Sequence, residues 1–186
     1  MLSLERACSA ERRRSCTRRE RGVPLPLVAV NLSGTSLNEQ SFVDYVLQSV
    51  AEPAIARALC FEITETTAVT SLANACYLMS ELKGRKCRFA LDDFGSGVSS
   101  FVYLKTLPVD LLKIDCEGGE YDILLSAPSK VFSGVKNIAF EFHEIEGFQG
   151  KLKAVKERLF AEGFMLKARG SLIAAHRPAL SMEARS

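Results

Sequence analysis

The chain has 186 residues, of which 47% are hydrophobic and 25% charged, with a net charge of +2. That length suits one domain and is short for two, and the composition excludes a disordered or fibrous protein. No apolar run approaches the roughly 18–20 residues of a membrane span, and the start lacks the apolar stretch of a secretory leader, so a cytoplasmic protein is expected.

The basic excess is local. Residues 1–22 hold seven Arg and three Glu, a net +4, around Arg12-Arg13-Arg14 and Arg18-Arg19. They carry few large apolar groups and cannot offset the entropy of ordering, so 1–22 reads as a basic, disordered tail. Aromatic residues are not interleaved with the arginines, so neither DNA nor RNA is an expected partner. The six cysteines show no CxxC spacing and no His pairing, which predicts reduced, mostly buried thiols rather than a zinc site.

From Leu27 the sequence alternates strands and helices. Leu27-Val28-Ala29-Val30 predicts a buried strand that ends at Asn31. Phe42, Val43, Val46, Leu47 and Val50 recur at helical spacing over 39–51, and Pro53 reads as the stop. Leu59 to Ile63 is a second strand. A helix over 71–83 comes next, with Gly84 as its C-terminal cap. Arg88 to Leu91 is the third strand, running into Asp92-Asp93-Phe94-Gly95-Ser96-Gly97. A short helix over 98–106 leads to a fourth strand, Val109 to Ile114, that ends in Lys113 and Asp115.

Beyond Asp115, Gly118-Gly119 reads as a strand-to-helix turn before Tyr121, Ile123, Leu124 and Leu125. Asn137 to His143 is a strand, 149–162 a helix closed by Gly163, and 164–168 with 171–175 a hairpin around Arg169-Gly170. Strict alternation implies parallel strands joined by right-handed crossovers. The predicted class is α/β, with about seven strands, mostly parallel with flanking helices.

In this pattern Asn31, Glu62, Asp92 and Lys113 each lie at the end of a strand, hence on one rim of the sheet. A single polar strand end ordinarily caps a helix or meets water. Several converging on one rim suit a hard divalent cation such as Mg²⁺, which takes oxygen ligands. Asp93 would bridge a second ion or orient water, and Lys113 would neutralise phosphate charge. Gly95 and Gly97 would let the loop after β-strand three close over a substrate.

Four ordered segments carry a family resemblance: Val28-Ala29-Val30-Asn31-Leu32-Ser33, Phe61-Glu62-Ile63-Thr64-Glu65-Thr66, Leu91-Asp92-Asp93-Phe94-Gly95-Ser96-Gly97, and Tyr103-Leu104-Lys105 through Leu112-Lys113-Ile114-Asp115. Residues 23–115 thereby resemble part of the EAL family of cyclic-di-GMP phosphodiesterases. The resemblance implies a partial TIM barrel and Mg²⁺ (or Mn²⁺)-dependent hydrolysis of cyclic-di-GMP. It puts Asn31, Glu62, Asp92 and Asp93 on metal-ligand positions. Lys113, Glu62, Asp92 and Asp93 fall on catalytic positions. A homodimer through the 94–101 loop is also implied. The family's Glu-Ala-Leu strand is not found in 1–22, so barrel units two to five are expected, with an incomplete metal shell and weak or no turnover.

The segment 110–180, from Leu112-Lys113-Ile114-Asp115-Cys116-Glu117-Gly118-Gly119-Glu120-Tyr121 through Asn137–His143 to Gly163-Phe164, resembles FkbM-type methyltransferases. That resemblance implies a Rossmann-like half using S-adenosylmethionine, with Asp115, Glu117 and His143 near the cofactor cleft. The family's glycine-rich cofactor loop has no counterpart in the segment. Both resemblances include the strand Leu112–Asp115, so the chain reads as a fusion joined there, and a non-catalytic chimeric product is the third expectation.

Overall fold

The computed structural model describes residues 27–95, 101–116, 118–142 and 149–178. Its centre is one seven-stranded sheet: β1 (Val28–Asn31), β2 (Leu59–Thr64), β3 (Arg88–Asp92), β4 (Leu111–Ile114), β5 (Asn137–Glu141), β6 (Met165–Arg169) and β7 (Leu172–His176). The spatial order is β1-β2-β3-β4-β5-β7-β6. The first five strands run parallel in chain order, while β7 pairs antiparallel with β5 and β6. The expected edge hairpin is therefore present, and the two halves form one continuous sheet.

The helices are α1 (Gly34–Leu37), α2 (Gln40–Ser49), α3 (Pro53–Ala58), α4 (Glu65–Thr70), α5 (Leu72–Gly84), α6 (Phe101–Leu104), α7 (Glu120–Ser126), α8 (Ser129–Phe132) and α9 (Gln149–Ala161). Several depart from the sequence reading. Pro53 does not simply stop α2. It opens α3 as its first residue, where a missing N–H costs nothing. Gly84 is the last helical residue of α5 rather than its cap, and the left-handed turn falls on Lys86, at φ 76°. The helix expected over 98–106 narrows, among the described residues, to Phe101–Leu104. Thr64 initiates a helix the sequence reading lacked, its hydroxyl accepting from the Thr67 amide.

The core occupies one face of the sheet. Val30, Phe61, Ile63, Phe89, Leu91, Leu112, Ile114, Ile138, Phe140, Ile173 and Ala175 all point to that side. They join Phe42, Val46, Leu78, Leu82, Tyr121 and Leu159 from the helices in one cluster. This arrangement is set by the topology. Parallel strands laid down in sequential order by crossovers of one hand place every crossover helix on the same face. The Phe61 and Phe89 rings stack at 5.6 Å, and burying each contributes about 2–3 kcal/mol. The opposite face carries Cys60, Glu62, Ala90, Asp92, Leu111, Lys113, Ala139 and Glu141, none of which belongs to the cluster.

At the opposite end of the strands, Asp110 ties three of them together. Its buried carboxylate receives both 2.7 Å bonds from Lys83 and one of 3.2 Å from Lys136. It also accepts the Phe89 amide at 3.0 Å, and its backbone carbonyl accepts from Asn137. Burial alone would raise the Asp110 carboxyl. The bonds from Lys83, Phe89 and Lys136 outweigh it and hold the group below its usual range. A depressed pKa contributes stability above the unfolded-state value, and that stability is lost as pH falls through the folded value. Asp110→Asn should therefore lower unfolding free energy by about 2–4 kcal/mol at neutral pH in urea titrations. The gap between wild type and variant should shrink as pH drops toward 3, and a pH-independent gap would contradict this account.

Candidate functional site

The rim at the carboxyl ends of β1 to β4 is built by register. Asn31 pairs with Glu62, and Glu62 with Ala90, so Asp92 stands two residues further on the same face. Ala90 pairs with Leu111, which puts Lys113 on that face as well, one step beyond the Leu91–Leu112 pair. Beneath these long polar side chains lie Cys60 and Ala90, both buried and small. They leave room for the Lys113 chain to lie across the strands.

Lys113 Nζ is 2.8 Å from Glu62 Oε2 and 3.1 Å from Asp92 Oδ2. Burial by itself would lower the Lys113 pKa. Hydrogen bonds to Glu62 and then Asp92 outweigh it, so the ammonium stays charged above its ordinary range. Asp92 Oδ1 accepts the Asp93 amide at 3.1 Å, and Asp93 sits at φ 53°, turning the chain out of β3. Asn31, Asp93 and Asp115 are exposed. The Cys60 thiol is pushed up to about 11 by burial and then by Glu62, so it stays protonated at neutral pH.

Thus the structure brings Asn31, Glu62, Asp92 and Lys113 together, with Asp93 at their edge. Asp115 comes directly after β4. Glu117 and His143, expected near a cofactor cleft, lie outside the described residues, as do Ser96 and Gly97 of the loop. The donors are all oxygens, which is the chemistry Mg²⁺ takes, commonly through one or two carboxylates with substrate phosphate completing the shell. Among the described residues no three His, Cys, Asp or Glu groups converge to hold a metal alone. The space between Glu62 and Asp92 is taken by Lys113 Nζ, which a cation would have to displace.

Sequence reasoning missed the residue that anchors the neighbouring loop. Glu65, in the first turn of α4, is 2% exposed. One of its oxygens accepts the Gly95 amide at 2.7 Å, and the other accepts the Tyr103 hydroxyl. Burial and then this bond push the Tyr103 phenol well up, so it remains a donor. Phe94 is buried against the Phe101 and Tyr103 rings, at 5.7 and 6.4 Å. Gly95 is not the free hinge expected from its composition. It holds φ 105°, and a Cβ there would meet Ile123 Cδ1 at 2.1 Å. The one legible signal was an acid directly after a capping threonine. Its partners lie 30 and 38 residues away.

Residues 2–121 match the EAL domain family model. The chain belongs to the EAL domain family. That match begins inside the stretch read as a tail and ends just beyond β4. Residues 101–173 match the methyltransferase FkbM domain model, so the two matches overlap on 101–121, the segment containing β4. Among curated relatives, cyclic di-GMP phosphodiesterase PdeB of Shewanella oneidensis is 39% identical over 112 residues, 60% of this chain. Cyclic di-GMP phosphodiesterase PdeF of Escherichia coli is 40% identical over 94 residues, 50% of this chain. Each alignment spans 13% of the relative's own length. Among solved structures, the PaMucR phosphodiesterase in complex with c-di-GMP superposes with a TM-score of 0.55 at 29% identity, covering 82% of this chain and 64% of that one. The EAL domain of Mycobacterium smegmatis DcpA gives 0.52 at 26% identity, over 86% and 62%. The seven-stranded sheet accordingly resembles part of a TIM barrel, and it is open rather than closed.

Removing the Glu65 carboxylate should free the loop without touching the rim. Glu65→Ala should speed hydrogen exchange of the Gly95 amide by at least tenfold and cost about 1–3 kcal/mol of stability. Wild-type exchange at Gly95 would show that the loop is held by something else.

Proposed function

We propose that the rim of β1 to β4 binds cyclic-di-GMP together with a divalent cation, Mg²⁺ (or Mn²⁺), and hydrolyses the phosphodiester weakly. The observation that carries this reading is Lys113 held between Glu62 and Asp92, on strands within the EAL match. The relatives named as cyclic di-GMP phosphodiesterases and the c-di-GMP complex of PaMucR support the ligand.

In this reading Asn31, Glu62, Asp92 and Asp93 hold the cation. When bound, it would neutralise phosphate charge and lower the pKa of a water. Lys113 presents a fixed positive charge to the phosphate from the middle of the rim. Its raised pKa keeps that charge through neutral pH. Because the ammonium already engages both carboxylates, a cation must compete for them, which supports weak turnover. The same reading takes in a homodimer through residues 94–101, as the family resemblance implies. No helix among the described residues is long and apolar enough to cross a membrane. In this reading the protein acts in the cytoplasm.

The match over 101–173 favours a second reading, methyl transfer from S-adenosylmethionine with Asp115, Glu117 and His143 near the cofactor. One experiment separates the two. Calorimetric titration with cyclic-di-GMP and Mg²⁺ should give saturable binding that weakens at least tenfold in Asp92→Ala and in Lys113→Ala. Titration with S-adenosylmethionine should give no heat. The reverse pattern supports the methyltransferase reading, and silence in both titrations supports a non-catalytic product.

A further inference from the structure

At the end of the sheet away from the rim, β4 and β5 begin side by side. Leu111 pairs with Asn137, and the Asn137 amide donates to the Asp110 carbonyl at 2.9 Å. The two segments that lead into these strands are thereby brought together. Between them lies a cavity of about 310 Å³, within the size range of small-molecule sites. One wall runs from Leu104 to Pro108, inside both family matches. The other runs from Lys130 to Gly134, inside the FkbM match and beyond the EAL one. Leu104, Leu107 and Val131 give the cavity a buried apolar floor.

Both walls are pinned by their own hydrogen bonds. The Tyr103 carbonyl accepts the Thr106 and Leu107 amides at 2.9 and 3.2 Å and the Thr106 hydroxyl at 2.7 Å. Across the cavity the Ser133 hydroxyl donates to the Lys130 carbonyl at 2.8 Å, and Arg177 Nη1 donates to the Ser133 carbonyl at 3.5 Å. The two lining hydroxyls have thus committed their hydrogens. The side-chain donors left are the ammonium groups of Lys105 and Lys130, both exposed. Among the described residues neither has an ion-pair partner, and no carboxylate lines the cavity. The acid nearest in the chain, Asp110, is buried and already taken by Lys83 and Lys136.

Two like charges on one concave surface, with no counter-charge, raise the local positive potential and concentrate anions there. A lysine ammonium is a compact point charge and serves phosphate in that form. The lining has no guanidinium fork for a planar carboxylate and no aromatic ring on which a nucleotide base could stack. We propose that this cavity binds a phosphomonoester with a short aliphatic body. The phosphate sits between Lys105 and Lys130, and the carbon chain lies on Leu104, Leu107 and Val131. The site is independent of the rim, since it lies at the opposite ends of the strands and uses none of the rim residues.

Glycerol 3-phosphate serves as the probe, titrated into the full ¹⁵N-labelled chain and followed residue by residue in amide spectra. The Lys105, Thr106, Ser133 and Gly134 amides should shift saturably, whereas glycerol, or sodium chloride at equal ionic strength, should not move them in that way. Lys105→Gln and Lys130→Gln should each weaken binding about tenfold, the scale of losing one hydrogen bond to a charged group. Gly134→Asp adds a carboxylate to the lining where a Cβ would meet nothing within 4 Å, and it should abolish binding. Thermal melts establish that the variants fold. Equal shifts in sodium chloride, or wild-type affinity in the folded Lys105→Gln/Lys130→Gln double variant, overturn the proposal. Shifts confined to the ends of β1 to β4 place the phosphate at Lys113 and overturn this cavity as its site while leaving the rim reading intact.

Discussion

β4 is a four-residue strand with a parallel neighbour on each side, and the architecture depends on that seam. Its ladder to β3 is short, with Ala90–Leu111 and Leu91–Leu112 the paired residues. Backbone bonds lengthen it at both ends. The Phe94 amide donates to the Lys113 carbonyl at 3.1 Å, and the Asp110 amide donates to the Phe89 carbonyl at 2.8 Å. On the other side β4 pairs with β5 over four residues, and the Asn137 amide donates to the Asp110 carbonyl at 2.9 Å. Asp110 then adds its side chain, drawing Lys83, Lys136 and the Phe89 amide onto one buried carboxylate. Remove these contacts and the sheet divides near the place where the two family matches overlap.

The same seam explains why the site is where it is. Strands added in chain order with crossovers of one hand leave one face for the helices and core. The other face needs small side chains near the strand middles and tolerates charge at the ends. Cys60, Ala90 and Ala139 meet the first condition; Glu62, Asp92, Lys113 and Glu141 meet the second. A lysine between two carboxylates is stabilised on this face because each charge has an opposite partner and a solvent route. In the buried core no such arrangement would be tolerated without a much larger desolvation cost.

Much of this was legible in the sequence because strands and rim obey local rules. Short apolar runs ending in a polar residue marked β1 to β4, and parity alone put Asn31, Glu62, Asp92 and Lys113 on one side. What failed were features set by other parts of the chain. Pro53 opens a helix because residues 54–58 continue it, and Lys86 rather than Gly84 takes the left-handed turn because the Lys86 and Cys87 amides close bonds to the Lys83 and Leu82 carbonyls. Nothing in the local sequence marks Glu65 and Asp110 as buried. Their burial depends on Gly95, Tyr103, Lys83 and Phe89, which no local pattern connects to them. Gly95 read as flexible, yet its positive φ and the approach of Ile123 make it a fixed contact between the two halves.

The central claim is that β4 joins the segments that match two different family models into one cooperative sheet carrying one rim. Native-state hydrogen exchange at increasing urea tests it most directly. The account predicts that the strand amides of β2, β3, β4 and β5 merge onto a single unfolding isotherm, with a common free energy and urea slope. Exchange of β5, β6 and β7 through a separate, lower-energy unfolding that leaves β1 to β4 protected would contradict it.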